Sequence, residues 1–217
     1  MNAVAVKRRT QAERRAASMG RILDATIEAL AQRGYAKTST AEICKRAEIS
    51  QGGLFRHFAS RLDVIVAATE EVGKRHIERF ENVLQSNDGE VSPIVTLDET
   101  NPMRGVVLFI RESARSGIHQ AWHEVMVAAR TDEALRDRVS PILGQFESAL
   151  LKTVYQFLGM EDREDDRLGV ALLSIMHMFD SEAVTVSVYR SPELEAQRVE
   201  WATELLHNEL MELQRST

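Results

Sequence analysis

The 217-residue chain has little of what punctuates, cross-links or anchors a fold. Its single cysteine, Cys44, excludes an internal disulfide framework and suits a reducing compartment, so a cytoplasmic location is expected. Only 4 prolines and 11 glycines are present, which leaves few turns and lets helices run long. No unbroken apolar run exceeds five residues, as in Val106 to Ile110. A spanning helix needs roughly 20 apolar residues, so neither a span nor a membrane partner is expected. Met1 to Arg9 lacks the apolar centre of a secretory signal. There is no Gly-rich phosphate loop and no nucleophile elbow, and one cysteine cannot build a Cys-rich zinc site. Neither a catalytic constellation nor a cofactor is therefore expected. Strand-period segments, internal repeats and low-complexity tracts are absent too.

What is present is ordinary globular composition, 44% hydrophobic and 28% charged. The net charge of −6 taken alone argues against a nucleic-acid partner. It hides an asymmetry. Residues 1–61 carry 12 Lys and Arg against 5 Asp and Glu, a balance of +7, and residues 62–217 carry 15 against 28, a balance of −13. A basic head on an acidic body suggests a nucleic-acid module joined to something else. A solvated basic face would give the same sums.

Helical periodicity runs nearly throughout, and the predicted fold class is all-α. Ile22, Leu23, Thr26, Ile27 and Leu30 form one apolar stripe, ended by Gly34 as a C-terminal cap. Ser39 to Glu42 matches a capping box opening a helix of about two turns, with Ile43 and Ala47 inward. Glu48-Ile49-Ser50 makes a tight connection, and Ser50 caps a second short helix expected to reach Phe58. A long helix should start at Ser60 to Asp63. Residues 86–101 form the clearest break. Further helices are expected at 103–116, 119–130, 132–158 and Leu168–Tyr189, with Pro141 kinking or splitting the third of these near Ser140. Ser191-Pro192-Glu193 is a strong start signal for the last helix, to about Arg215.

Two short helices joined by about three residues behind a basic arm outline a helix-turn-helix. Gln51, Gly52 and Gly53 open the second helix with little bulk, as entry into a major groove about 12 Å wide requires. Each helical Gly costs roughly 1 kcal/mol against Ala, so two together hint at a use. Arg33-Gly34-Tyr35, Thr38-Ser39-Thr40, Glu42-Ile43-Cys44, Ala47, Ser50, Leu54-Phe55-Arg56-His57-Phe58 and Arg61 together resemble the DNA-binding region of TetR-family transcriptional repressors. The detailed match covers about residues 15–66, and the remainder matches in architecture only.

The resemblance implies roles at matching positions. Thr40 would contact a phosphate at a helix N-terminus. Ala41 would offer apolar contact to a thymine methyl, and Gln51 would pair with a base, adenine N6 and N7 being the bidentate option. His57 would lie near the DNA backbone, and Arg61 would bind a phosphate with bidentate geometry. Lys45, Arg46 and Arg56 add positive charge, and Gly52 and Gly53 permit close approach. The arm residues Lys7, Arg8, Arg9, Arg14 and Arg15 could add contacts or form a solvated tail. Two positions depart from the family pattern. Phe55 stands where the family usually has Tyr, losing a hydroxyl, and Glu48 stands in the turn where Gly is usual. A positive φ at Glu48 would carry strain of roughly 1 kcal/mol.

For the body, the resemblance implies an all-helical ligand domain with a pocket. Its candidate lining is Met103, Phe109, Trp122, Met126, Phe146, Tyr155, Met176 and Phe179, any of which could equally be plain core. Arg111, Arg115, His119 and His177 could orient a polar or anionic ligand or lie at a surface. His119 and His123 share a helix face at a spacing that can bind a metal, but no third ligand is marked, and none is expected. The last two helices could pair with a second copy as a four-helix bundle. The expected organisation is therefore 1–61 for DNA binding and 62–217 for ligand binding and dimerisation. The expected function is that of a ligand-responsive, homodimeric repressor on double-stranded DNA with a palindromic operator, released by a small-molecule effector. The alternatives are a helical interaction protein or an all-α enzyme with an incidental basic head.

Overall fold

The computed structural model describes residues 10–85, 102–159 and 167–215. Among them are nine α-helices and no strand: α1 (Gln11–Arg33), α2 (Thr40–Ala47), α3 (Gln51–Leu54), α4 (Arg61–Gln85), α5 (Pro102–Ala114), α6 (Gly117–Ala129), α7 (Glu133–Phe157), α8 (Arg167–Val186) and α9 (Pro192–Arg215). The arm residues Lys7, Arg8 and Arg9 and the break at 86–101 lie outside the described residues.

Caps set most of the helix starts. Thr10 and Glu13 form a full capping box on α1, a device the sequence reading placed instead at Ser39 and Glu42. Ser39 does accept from the Glu42 amide, but the Glu42 carboxylate turns away to Arg46, so that box is only half made. Ser116 caps α6 and Asp132 caps α7. Gly34 ends α1 at φ 76°, a backbone conformation that favours glycine, and a Cβ there would stand 2.8 Å from Glu124 Oε2 and displace that carboxylate.

Two expected boundaries need correction. Helix α3 is one turn and does not reach Phe58; residues 55–57 form a turn in which the His57 and Phe58 amides both donate to the Leu54 carbonyl. The two glycines at its front weaken the helix enough for this. Pro141 neither splits α7 nor ends it. Its ring is exposed, so water can satisfy the carbonyl it leaves unpaired, while Leu135, Val139 and Ile142 stay buried on the other face.

The packing forms two apolar cores. The first joins Ile22, Ile27 and Leu30 of α1 to Ile43, Leu54 and Phe58, then to Val64 and Ile65 of α4, and continues into Trp122 and Val125 of α6 and Val139 of α7. The second gathers Phe80, Val107, Phe109, Leu172, Ile175, Phe179 and Leu206 from the far end of α4 and from α5, α8 and α9. Phe146 on α7 packs against both. A knot of ion pairs ties α5, α8 and α9. Buried Glu182 receives Arg111, Arg115 and Arg198, and buried Glu195 receives Arg111, Arg115 and Arg190, at 2.7–3.4 Å. Hydrogen bonds from Arg115 and then Arg190 hold the Glu195 carboxyl down at about 2.

One absence read from the sequence is amended. By length and composition, α8 is apolar enough to cross a membrane. Gly169, Ser174, His177 and the triplet Asp180-Ser181-Glu182 interrupt its apolar residues, so no long run betrayed it. Here it packs on α5 and α9 and carries the buried Glu182.

The turn after α2 bears local strain. Glu48 adopts φ 53° and ψ 47°, and is the one non-glycine residue with positive φ among those described. Its side chain is exposed and makes no contact that repays this. Glu48→Gly is therefore expected to raise stability by about 1 kcal/mol, measured by urea unfolding; an unchanged midpoint would count against strain at this residue.

Candidate functional site

The α2–turn–α3 unit is built by paired devices. Ser39 and Ser50 each sit in extended conformation and accept from the third amide of the following helix, Glu42 at 3.2 Å and Gly53 at 3.1 Å. Between them Glu48 takes the left-handed conformation, and the Ile49 amide closes on the Cys44 carbonyl at 3.0 Å. Ile43, Cys44, Ala47 and Leu54 point inward. Burial raises the Cys44 thiol pKa, which keeps it a protonated, packed side chain.

This leaves an outward face. Ala41, Lys45, Gln51, Gly52, Phe55 and Arg56 are exposed, and Thr40, Gly53 and His57 are half-buried. A Cβ on Gly52 would come no nearer than 4.0 Å to Ser50 Oγ, so the fold itself makes no demand for glycine there. Gly53 is more enclosed, with Ser50 Oγ at 3.4 Å and Ile49 Cβ at 3.7 Å. Phe55 is 48% exposed, a large apolar ring held out on a polar face. His57 Nδ1 is buried without a hydrogen-bond partner among the described residues.

Two cations expected to meet phosphate are used inside the protein. Arg46 is engaged by Glu42 at 2.7 Å, Gln32 at 3.0 Å and Glu28 at 3.2 Å, which fastens α2 to α1. Arg61 donates from Nε to the Thr38 carbonyl at 2.7 Å and from Nη2 to the Tyr35 carbonyl. Its guanidinium carbon stacks 4.4 Å from the Tyr35 ring centroid. The reason is local: Tyr35–Lys37 form a 3-10 turn leading into a non-helical segment, whose carbonyls need donors from elsewhere. Tyr35 continues the clasp into the body. Its hydroxyl donates to Asp132 Oδ2 at 2.9 Å and its amide to Glu124 Oε2 at 3.3 Å. Burial, then the bond to Asp132, hold the phenol pKa above its ordinary value, so it stays a donor. Sequence reading did not find this clasp, because its partners lie 89 and 97 residues apart in the chain.

In the body, two cavities meet at Phe146. The outer, about 620 Å³, is lined by Trp122, Met126, Phe146 and Met176 from the expected set, with His119, His123, His177 and Asp180. The inner, about 50 Å³, takes Phe109, Phe146 and Met176 from that set, with His76, Phe80, Ser113, His119 and Asp180. Met103, Tyr155 and Phe179 line neither and are buried core. Arg111 and Arg115, held in the knot around Glu182 and Glu195, line neither of these two cavities, but Arg115 lines a third of about 750 Å³ that shares His119, His123, Asp180 and Val184 with the outer one. His119 Nε2 stands 2.9 Å from Asp180 Oδ1, off the alignment of a hydrogen bond. Among the described residues no group of three or more His, Cys, Asp or Glu is placed to hold a metal ion.

Residues 22–68 match the model of bacterial regulatory proteins of the tetR family. An uncharacterized HTH-type transcriptional regulator of Mycobacterium tuberculosis is 32% identical over 199 residues, 91% of this chain and 97% of that protein. This chain belongs to the TetR family of transcriptional regulators. It is thus a DNA-binding helix-turn-helix regulator and not an enzyme. Solved structures agree on the fold. A TetR-family member from Streptomyces coelicolor A3 matches with a TM-score of 0.62 at 18% identity, over 88% of this chain and 97% of that one. The multidrug binding protein EbrR, complexed with imidazole, matches at 0.57 and 20% identity, over 86% and 93%.

The internal use of Arg61 in this TetR-family head has a measurable consequence. Arg61→Ala should cost about 2 kcal/mol of stability, from charged hydrogen bonds to two carbonyls, read by denaturant unfolding. A loss under about 0.5 kcal/mol, the range usual for surface substitutions, would show the side chain to be dispensable to the fold.

Proposed function

We propose that this TetR-family regulator is a dimeric repressor that reads a palindromic operator with residues 1–61 and is released by a small molecule taken up by residues 62–217. The observation that carries the operator reading is the outward face of α2 and α3, whose residues the fold does not otherwise use. Gln51 reads a base edge there, Ala41 meets an apolar base group, and Gly52 and Gly53 let the backbone come close. Thr40, Lys45, Arg56 and His57 face phosphate, with Phe55 packed against the sugar–phosphate surface. Arg46 and Arg61 act one step back, by fixing the helices.

The dimer is supported by apolar residues that α8 and α9 leave outside. Val170 and Val184 are spaced by two heptads on α8, and Leu194 and Trp201 by one on α9; Val170 is 63% exposed and Trp201 54%. Their opposite faces are buried against α5 and each other. Two copies joined by these faces as a four-helix bundle would set two heads at the roughly 34 Å spacing of operator half-sites. An effector is favoured by the two body cavities and by the likeness in fold to a multidrug binding protein. Action in the cytoplasm follows from acting on DNA.

A mobility-shift titration with a palindromic fragment from beside the protein's own gene tests this reading. Binding should weaken steeply with salt, and shallow salt dependence or no binding would refute it. Gln51→Ala should lower discrimination at one base position by roughly 1–3 kcal/mol, whereas Gly52→Ala should weaken all sequences while leaving thermal stability unchanged or higher. Equal loss on every sequence with Gln51→Ala would remove its base-reading role. Trp201→Glu should convert dimer to monomer in sedimentation at micromolar protein, since it places a charge in an apolar seam; a persistent dimer would put the interface elsewhere.

A further inference from the structure

Four buried polar atoms lining the inner cavity make no hydrogen bond among the described residues; His119 Nε2 and Asp180 Oδ1 stand against each other at 2.9 Å, which leaves His76 Nε2 and Ser113 Oγ. His76 on α4 and Ser113 on α5 are only 8% and 9% exposed, and both line the inner cavity. Neither His76 Nε2 nor Ser113 Oγ has a hydrogen-bond partner among the described residues. Buried polar groups are nearly always paired, so two such atoms sharing one apolar cavity call for a partner that brings its own hydrogen bonds. His76 is neutral. Burial above all, then His119 and Arg79, lower its pKa to about 3 against the pull of Asp180.

The surroundings narrow the partner. No Lys or Arg lines the inner or the outer cavity; Arg115 and Arg190 line only the larger cavity next to the outer one, where both are paired with Glu195, and Asp180 is the one carboxylate of the inner and outer walls. Arg79 lies 5.7 Å from the Phe109 ring centroid and is part of neither wall. An anionic head at His76 and Ser113 would therefore meet Asp180 with no cation in the wall beside it. An ammonium could pair with Asp180 but would leave the two inner atoms unanswered. A hydroxyl both donates and accepts, so it serves either tautomer of His76 and either rotor of Ser113. The outer cavity is walled by Trp122 and Phe146, ring centroids 5.1 Å apart, and by Met176, surfaces that suit a flat ring.

From this geometry we infer that the effector is an uncharged, ring-bearing molecule with one hydroxyl, which enters hydroxyl first and hydrogen-bonds His76 and Ser113 while its ring lies against Trp122, Phe146 and Met176. The inference rests on the reading that the body takes up a small-molecule effector, and it names the chemical class.

Calorimetric titration of the full-length protein with naphthol, naphthalene, naphthoate and naphthylmethylamine tests it. Naphthol should bind about tenfold more tightly than naphthalene, the worth of hydrogen bonds to uncharged groups, and more tightly than either charged compound. Ser113→Ala and His76→Leu should each erase most of that preference, read as the ratio of naphthol to naphthalene affinity within the same variant. Ser113→Ala removes a single oxygen, so the test stays readable should His76→Leu fail to fold. Equal binding of naphthol and naphthalene would assign the two atoms to bound water, and overturn the inference. So would naphthoate or the amine matching naphthol, or a preference that survives both substitutions. Each of those outcomes would leave the effector reading standing. Binding by none of the four, with operator binding intact, would sink the effector site as well and leave only the DNA-binding reading.

Discussion

The stack of Arg61 on Tyr35 is the contact on which the orientation of the DNA-binding head depends. Arg61 is the first residue of α4, and Tyr35 opens the 3-10 turn that leads out of α1. By donating to the Tyr35 and Thr38 carbonyls, the guanidinium completes a segment that has no helix or sheet of its own to satisfy it. The same tyrosine reaches Asp132, the N-cap of α7, and its amide reaches Glu124 on α6. The starts of α4 and α7 and the side of α6 thus converge on one residue of the 3-10 turn. An Arg in this place does what a Lys could not, since the planar fork stacks and donates in two directions at once.

Behind that clasp the apolar packing explains where the cavities fall. The first core runs without interruption from α1 through α4 into α6 and α7, so the head is fused to the body rather than tethered to it. The second core holds α5, α8 and α9 around the far end of α4. Two cores sharing only α4, α7 and the Phe146 ring cannot close perfectly over one another. The cavities lie along that junction, between His119 and Trp122 on one side and Met176 and Asp180 on the other. The Arg–Glu knot ties α5, α8 and α9 together and stiffens the second core.

Sequence made the periodic and local features legible. The stripe from Ile22 to Leu30, the cap at Gly34, the start at Pro192 and the helical strain at Glu48 all depend on residues within a turn or two of one another. Features set by distant partners were not legible. Arg61 read as a phosphate-binding cation because its partners in space, Tyr35 and Thr38, are not marked by any spacing rule, and for Arg46 only Glu42, one turn back, is so marked, while Glu28 and Gln32 are not. The Ser39–Glu42 box failed for a related reason: Arg46, one turn on, is a better partner for a carboxylate than a backbone amide is. Apolar residues in the body could be assigned to the interior but not sorted between cavity and core. Tyr155 and Met176 look alike in sequence, and only packing separates them.

On the proposed regulation, α6 is the element placed to pass a signal. His119 and Trp122 face the cavities, and Glu124, two residues further on, holds the Tyr35 amide. A ligand can shift the head only through unequal affinity for two arrangements of this helix, and a tenfold loss of operator affinity needs about 1.4 kcal/mol of that inequality. The contact it must disturb is weak enough for this. At 3.3 Å the Tyr35–Glu124 hydrogen bond lies at the long end of the range. The face that α6 buries carries Ala121, Val125 and Ala129 with Trp122 as its one large side chain, and that ring, packed on Phe146 at the cavity wall, is the part of the helix a ligand would press on. In the proposed dimer a small slide of this helix would be felt twice, once at each head, and the separation of the two recognition helices would change by the sum. The duplex fixes that separation at one helical turn, so a displacement that costs little within each protomer is costly on DNA.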